Sequence, residues 1–223
     1  MILRVTNLEF VQTCEVQFAF AHSGRFVFES AASKRGKELH TLFESIMRGD
    51  LTKVPSHYAT IVNNLRQWWV SKERTVLLQE KRLRVKLGKG IELTGKPDLI
   101  VKEEGLVKIV DLKTGQNPET YLYSPQLPLY AILIMLHTSY QFQPRTFVVL
   151  GVDGRSYEKD VTLEDITFAT KLIEFAVAIL ERGYFRKGYS CSYCDYFPLC
   201  FQIKKHVVTM EDIDKLSLQE VTK

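Results

Sequence analysis

The chain has 223 residues, 45% of them hydrophobic and 25% charged, which suits one generous globular domain and excludes a low-complexity polypeptide. A net charge of +4 is compatible with a nucleic-acid partner but too small to argue for one alone. The start, Met1-Ile2-Leu3-Arg4, lacks a secretory signal, and the longest apolar run, Leu127 to Leu136, is about half of the roughly 20 residues a membrane span needs, so a soluble, cytoplasmic protein with no membrane part is expected.

In chain order, Thr6-Asn7-Leu8-Glu9 fits a capping box and predicts a helix to about Phe20 that carries Cys14 and stops before Gly24. Phe26-Val27-Phe28 reads as a short extended piece. A second helix over 33–48 sets Leu39, Leu42, Phe43, Ile46 and Met47 at helical spacing, with Gly36 and His40 inside it. A third covers about 55–70. Strand-like segments follow at 75–87 and 91–101, separated by a Gly88-Lys89-Gly90 turn, and another ends at Lys113. Ser124-Pro125 opens a helix to about His137, as N-cap and first helical residue. Strands at 147–152 and 156–161 flank an Asp153-Gly154 turn. Thr162-Leu163-Glu164-Asp165 then starts a long helix that ends near Gly183. Residues 184–202 form an aromatic, cysteine-bearing module, and a polar tail with one weak helix occupies 204–223. The order predicts a single α/β domain over 1–203 built on a mixed sheet.

Polar signals concentrate between Gly95 and Tyr130: Gly-Lys-Pro-Asp at 95–98, Asp-Leu-Lys at 111–113, and Gln126 with Tyr130. Residues 99–101 and 106–110 are apolar runs around a Gly-containing turn, the pattern of an antiparallel hairpin. A two-residue Glu104-Gly105 turn sets Asp98 opposite Asp111. Opposed residues have Cβ atoms roughly 4.5–5.5 Å apart, and like charges there repel, so the pair asks for a cation. Carboxylates are hard ligands suited to Mg²⁺ or Mn²⁺. Residues two apart on a strand share a face, so Lys113 points with Asp111 while Leu112 enters an apolar layer. An ammonium beside such an ion suits metal-assisted hydrolysis of a phosphodiester; the bland alternative is a solvated Asp and Lys at a strand end. Gln126 and Tyr130, four apart, share a helix face, where both could hydrogen-bond a phosphate and Tyr130 could stack on a base. His40 could complete a site formed by two aspartates, or be a helix histidine satisfied by a neighbour. Gly36, one turn earlier, would let another backbone approach. Glu44 and Glu80 are weaker candidates of the same kind. Lys34, Arg35, Lys81, Arg82 and Arg84 could contact phosphates, or form a solvated charged face. The four cysteines of a chain in a reducing compartment read as metal ligands rather than disulfides.

Gly36-xxx-His40, Gly95-xx-Asp98, Asp111-x-Lys113 and Gln126-xxx-Tyr130, in that order, resemble the RecB-type branch of the PD-(D/E)XK nuclease superfamily. The resemblance implies a restriction-endonuclease-like α/β core, a central mixed β-sheet flanked by helices. It implies His40, Asp98, Asp111 and the backbone carbonyl of Leu112 as metal ligands, Lys113 as the catalytic lysine beside Asp98 and Asp111, and Gln126 and Tyr130 as substrate-positioning residues. Cys191-x₂-Cys194-x₅-Cys200 together with the distant Cys14 is similar to the iron–sulfur nucleases of this branch, the CRISPR-associated adaptation nuclease family and the AddB nuclease domain. That likeness implies a [4Fe–4S] cluster, with Zn²⁺ the alternative for four thiolates, closing the C-terminal module onto the N-terminal helix. The expected activity is a Mg²⁺- or Mn²⁺-dependent deoxyribonuclease, exonuclease-like on DNA ends or single strands. Its setting would be CRISPR adaptation, recombination and repair, or viral DNA processing, with a helicase or CRISPR integrase as partner. A non-catalytic DNA-end-binding subunit and a zinc-stabilised interaction protein are the competing classes.

Overall fold

The computed structural model describes residues 1–25, 31–50, 54–137, 139, 142–188, 191 and 194–216. Along the chain the regular elements are β1 (Ile2–Arg4), α1 (Val5–Leu8), α2 (Glu15–Ser23), α3 (Ala31–Arg48), α4 (Ala59–Val70), β2 (Arg74–Gln79), β3 (Leu83–Gly88), β4 (Ile91–Gly95), β5 (Leu99–Glu103), β6 (Leu106–Lys113), α5 (Gln126–Met135), β7 (Pro144–Gly151), β8 (Ser156–Asp160), α6 (Leu163–Arg182), β9 (Tyr184–Arg186), α7 (Phe197–Gln202), β10 (Val207–Thr209) and α8 (Met210–Asp214). Among the described residues the strands make a five-stranded sheet of order β2-β5-β6-β7-β8, a three-stranded sheet β1-β4-β3, and the pair β9-β10. β6 and β7 run parallel while the other neighbours in the large sheet are antiparallel, so the central sheet is mixed, as expected.

Side-chain alternation makes that sheet the middle layer. Leu99, Val101, Val110, Leu112, Val148 and Leu150 pack with Leu39 and Phe43 of α3 and Leu65 and Trp68 of α4. Their neighbours Ile100, Ile109, Phe147 and Val149 share a core with residues of α5 and α6 on the other side. A sheet covered on both faces needs apolar residues at successive positions, which is why these strands read as continuous runs. Each fully buried Leu, Ile, Val or Phe contributes about 1.5–3 kcal/mol, so this double-faced layer is the main source of stability.

The β5–β6 hairpin has the predicted register, Leu99 paired with Val110 and Ile100 with Ile109. Glu104 and Gly105 take φ of +52° and +83°, the left-handed pair that a two-residue turn requires. The segments 75–87 and 91–101, read as unbroken strands, each divide between two sheets. β2 gives way to β3 at Glu80-Lys81-Arg82, where Glu80 adopts φ +47°. β4 gives way to β5 at Lys96-Pro97-Asp98, where Pro97 has no N–H to continue a ladder. The corners are tied together, since the Glu80 N–H donates to the Asp98 carbonyl at 3.0 Å.

The helical predictions hold for the long elements and fail at the amino terminus. The Thr162–Asp165 capping box is formed on both sides, and Gly183 ends α6 in the left-handed conformation. The single helix expected from Thr6 to Phe20 is instead α1, a 3₁₀ turn over Glu9–Gln12, and α2; Arg4 precedes the first turn and no side chain caps it. Cys14, with an extended backbone, N-caps α2 through its sulfur. Phe26-Val27-Phe28 lies outside the described residues. Residues 204–216, read as part of a polar tail, carry β10, which pairs antiparallel with β9, and α8, whose Thr209–Asp212 capping box is complete. Val208 and Ile213 are fully buried; two apolar anchors in a polar segment suffice to dock it.

The cysteine-bearing module closes on α2. The Gly188 N–H donates to Cys14 Sγ at 3.2 Å, the Arg186 N–H to Glu15 Oε2 at 2.8 Å, and the rings of Phe20 and Tyr196 stack at 5.3 Å. A β-carbon at Gly188 would stand 2.1 Å from the Thr13 carbonyl oxygen, so this approach is open only to glycine. No helix among the described residues is long and apolar enough to cross a membrane.

Candidate functional site

The two corners bring Asp98, at the start of β5, beside the end of β6 that carries Asp111 and Lys113. Asp98 Oδ2 accepts the Leu112 N–H at 2.8 Å, which fixes the carboxylate, and Oδ1 lies 3.3 Å from His40 Nδ1 on α3. Glu80 Oε1 is 3.9 Å from the same nitrogen. Ligand atoms of His40, Glu80 and Asp98 all fall within 4.8 Å of one another, close enough to hold one ion. Glu80, a weaker candidate in the sequence, thus joins His40 and Asp98, its backbone left-handed at the corner; its other oxygen pairs with Lys96. Glu44 lines the same cleft, of about 530 Å³, but is paired with Arg48 one turn away.

The charges are poised for a cation. Burial alone would lower the His40 pKa, but the Asp98 and Glu80 carboxylates beside it, and the charge of Asp111, raise it from 6.5 to about 10. Without a metal the imidazole is therefore itself the cation between two carboxylates. Asp111 is 3% exposed; burial first, then the charge of Asp98, push its carboxyl up to about 6 against the pull of Lys113. Its Oδ2 lies 2.7 Å from Lys113 Nζ but accepts no aligned hydrogen bond. A buried, under-satisfied carboxylate oxygen near an imidazole and two further carboxylates fits a hard divalent ion such as Mg²⁺ or Mn²⁺.

Lys113 stays charged: burial opposes the ammonium, but the charge and contact of Asp111 outweigh it and raise the pKa. Its Nζ donates to Gln126 Oε1 at 2.8 Å, Gln126 Nε2 donates to Tyr130 Oη at 3.2 Å, and Tyr130 Oη donates to the Lys96 carbonyl at 3.1 Å. This chain holds both α5 residues at the site, but not as the sequence suggested. Tyr130 is 3% exposed, and a β-carbon at Gly95 would lie 2.9 Å from its ring, so the ring is locked in the core and cannot stack on a base. A side chain at Gly95 would collide with this ring, with Val5 and with Leu133. Gly36 is under no such constraint, since a β-carbon there would meet only Thr114 Oγ1 at 3.8 Å. Lys34, Arg35, Lys81 and Arg82 are exposed, while Arg84 pairs with Glu92 at 3.3 Å.

Two residues at the site escaped the sequence reading. Glu9 Oε1 accepts a hydrogen bond from Ser124 Oγ at 3.2 Å, and that hydroxyl accepts the Gln126 N–H at 3.2 Å, so the amino-terminal segment reaches the Lys113 chain. Burial raises the Glu9 pKa against the opposing charge of Lys113. Tyr121 lies with its ring centroid 4.9 Å from Lys113 Nζ. A signal for Tyr121 existed, since Tyr121-Leu122-Tyr123 stands between the Asp-x-Lys strand and the Gln126 helix; nothing local marked Glu9.

Far along the chain, Cys14, Cys191, Cys194 and Cys200 line one pocket together with Phe20, Tyr196 and Lys187. Cys14 Sγ accepts two backbone N–H groups, from Gln17 at 3.4 Å and Gly188 at 3.2 Å. Burial, and the charge of the other cysteines, raise the thiols of Cys194 and Cys200. Four sulfurs lining one pocket, with N–H donors aimed at one of them, fit a cationic metal centre that accepts thiolate charge.

Comparison with known proteins agrees with this geometry. A CRISPR-associated exonuclease Cas4 from Francisella tularensis subsp. novicida (strain U112) is 27% identical over 113 residues, which are 49% of this chain and 56% of that protein. The chain therefore matches little more than half the length of this curated relative. The crystal structure of an inferred exonuclease from Eubacterium rectale superposes with a TM-score of 0.53 at 14% identity, covering 96% of this chain and 93% of that one, a likeness of fold. The family model of the PD-(D/E)XK nuclease superfamily matches residues 3–201, a span that takes in both corners, the Asp98–Asp111–Lys113 cluster and all four cysteines, and the chain belongs to that superfamily.

Proposed function

We propose that the protein is a Mg²⁺- or Mn²⁺-dependent deoxyribonuclease that hydrolyses phosphodiester bonds at DNA ends or in single strands. The observation that carries this is the convergence of His40, Glu80, Asp98, Asp111 and Lys113 at one end of the central sheet. His40, Glu80, Asp98 and Asp111 would hold the ion, with the Leu112 carbonyl a further donor on the same strand. When bound, such an ion polarises the phosphoryl group and lowers the pKa of water.

The chain's own residues supply the rest. The Leu112 N–H keeps Asp98 turned toward His40. Lys113, held charged by Asp111 and aimed by Gln126, stabilises the negative charge that grows on the phosphoryl oxygens as water adds. Tyr130 anchors Gln126 rather than touching substrate. Because His40 carries a proton in the metal-free protein, loading the site releases one, and affinity rises with pH. The similarity to a CRISPR-associated exonuclease supports action on DNA ends, and a role beside an integrase or helicase remains part of this proposal.

The cysteine pocket would hold a [4Fe–4S] cluster as a structural staple, supported by its four sulfurs and the N–H donors on Cys14. The purified protein would then be brown and bleach on reduction, whereas zinc would leave it colourless. The enzymatic proposal is tested with labelled single- and double-stranded DNA and Mn²⁺. Cleavage should occur and vanish in both Asp111→Ala and Lys113→Ala; robust cleavage by either variant would refute the assignment.

A further inference from the structure

Tyr130, the tyrosine carried by the recognisable motifs, is locked in the core, which leaves open what holds the nucleotide beside the reacting phosphate. Beside Lys113 stands an aromatic residue of another kind. The 3₁₀ turn over Pro118–Tyr123 joins β6 to α5, and its Pro118 and Leu122 are buried. That anchorage presents Tyr121 outward: it is 40% exposed, lies across Gly115 with its hydroxyl 3.8 Å from where a β-carbon would stand, and has Lys113 Nζ over its ring at 4.9 Å. Among the described residues no hydrogen bond engages its hydroxyl, so the ring is the feature on offer.

We propose that Tyr121 is a nucleotide-positioning residue, whose ring stacks on the base next to the phosphate held at Lys113. This deepens the nuclease reading and rests on it. A base is joined to its phosphate through one sugar, so a phosphate at the ammonium brings a base within reach of a ring in contact with that ammonium. Exposed aromatic rings beside backbone-binding cations are how proteins hold unpaired bases without reading sequence, because every base has a π-face. Lys113 serves both ends of this arrangement, charge toward the phosphate and contact with the ring. Stacking requires the base to be unpaired, so the residue acts on single strands or frayed ends.

The test uses the full chain with Mn²⁺ and labelled single-stranded oligonucleotides. Tyr121→Leu should raise KM by about tenfold or more, with kcat changed by no more than about twofold. Tyr121→Phe should behave as the native protein. Tyr123→Leu, in which the lost ring lay against Lys159 rather than Lys113, should also leave both constants unchanged. An abasic residue beside the cleaved bond should raise KM for the native protein and add nothing in Tyr121→Leu. Should Tyr121→Leu keep the native KM, lose kcat alone, or still feel the abasic position, the ring only packs against Lys113 and the proposal is wrong. Those failures leave native cleavage dependent on Asp111, whereas cleavage that persists in Asp111→Ala removes the nuclease reading and this proposal with it.

Discussion

Asp111 shows how a site of this kind is held against its own electrostatics. Its carboxyl has been raised from 3.8 to about 6 by burial and by Asp98, so in the metal-free protein ionising it opposes folding. A group whose folded pKa lies above its unfolded value gives stability that is complete below the unfolded value and lost as pH rises through the folded one. Metal-free Asp111→Asn should therefore be more stable than the native chain above pH 6, the gap closing as pH falls toward 3.8. Urea unfolding in the presence of a chelator measures this, and parallel pH profiles for the two proteins would count against it. The same variant should not cleave DNA. A stabilising substitution that removes activity is the expected signature of a carboxylate kept for binding a cation.

At the scale of the element, β5 carries a buried carboxylate at each end with opposite solutions. At one end Asp98 faces the carboxylate of Asp111, with the His40 imidazole 3.3 Å away. At the other, Glu103 is 1% exposed and meets Lys72 at 3.0 Å, Arg74 at 2.5 Å and Lys108 at 2.8 Å, while Lys108 continues to Glu158 at 2.7 Å. Burial would raise the Glu103 pKa, but the hydrogen bonds from Lys108 and Lys72 and the charge of Arg74 lower it to about 2. Its stabilising contribution is thus present above 4.5 and lost as pH falls through about 2. Replacing Glu103 by Gln strands buried Arg74 without its anion and leaves Lys108 with Glu158 alone, and should cost about 3–5 kcal/mol in denaturant unfolding. Cleavage per folded molecule should be unchanged, because this network sits at the end of β5 away from Asp98.

For the molecule as a whole, the cysteine pocket joins the first and last parts of the fold, and the amino-terminal segment then runs on to the site. Glu9 lies five residues before Cys14 and is hydrogen-bonded to Ser124, whose hydroxyl caps Gln126, the partner of Lys113. Disrupting the staple should therefore reach both stability and activity. Cys191→Ala is expected to lower Tm by roughly 5 °C or more, with a matching loss of cleavage and of any brown colour. Lys113→Ala should abolish cleavage and leave Tm and colour intact. A Cys191→Ala protein with native Tm would remove the staple and leave the nuclease assignment standing.

The β5–β6 register, the shared face of Asp111 and Lys113, the apolar layer entered by Leu112, and the caps of α6 were legible in the residues alone, because each is set by local periodicity or turn chemistry within a few residues. Tertiary structure decided the rest. The polar run Gln79-Glu80-Lys81-Arg82 and Gly95-Lys96-Pro97-Asp98 interrupt 75–87 and 91–101, but no local pattern shows that each segment leaves one sheet for another, and it is that bend which delivers Glu80 to His40 and Asp98. Likewise, Tyr121 and Tyr130 are the same residue type nine positions apart. Only tertiary packing, with Gly95 close against one ring and Pro118 and Leu122 buried in the turn that carries the other, makes the first exposed and the second core. Periodicity states which face of an element is apolar; which surface comes to cover it depends on contacts between residues far apart in the chain, such as Thr13 against Gly188, that no local stretch encodes.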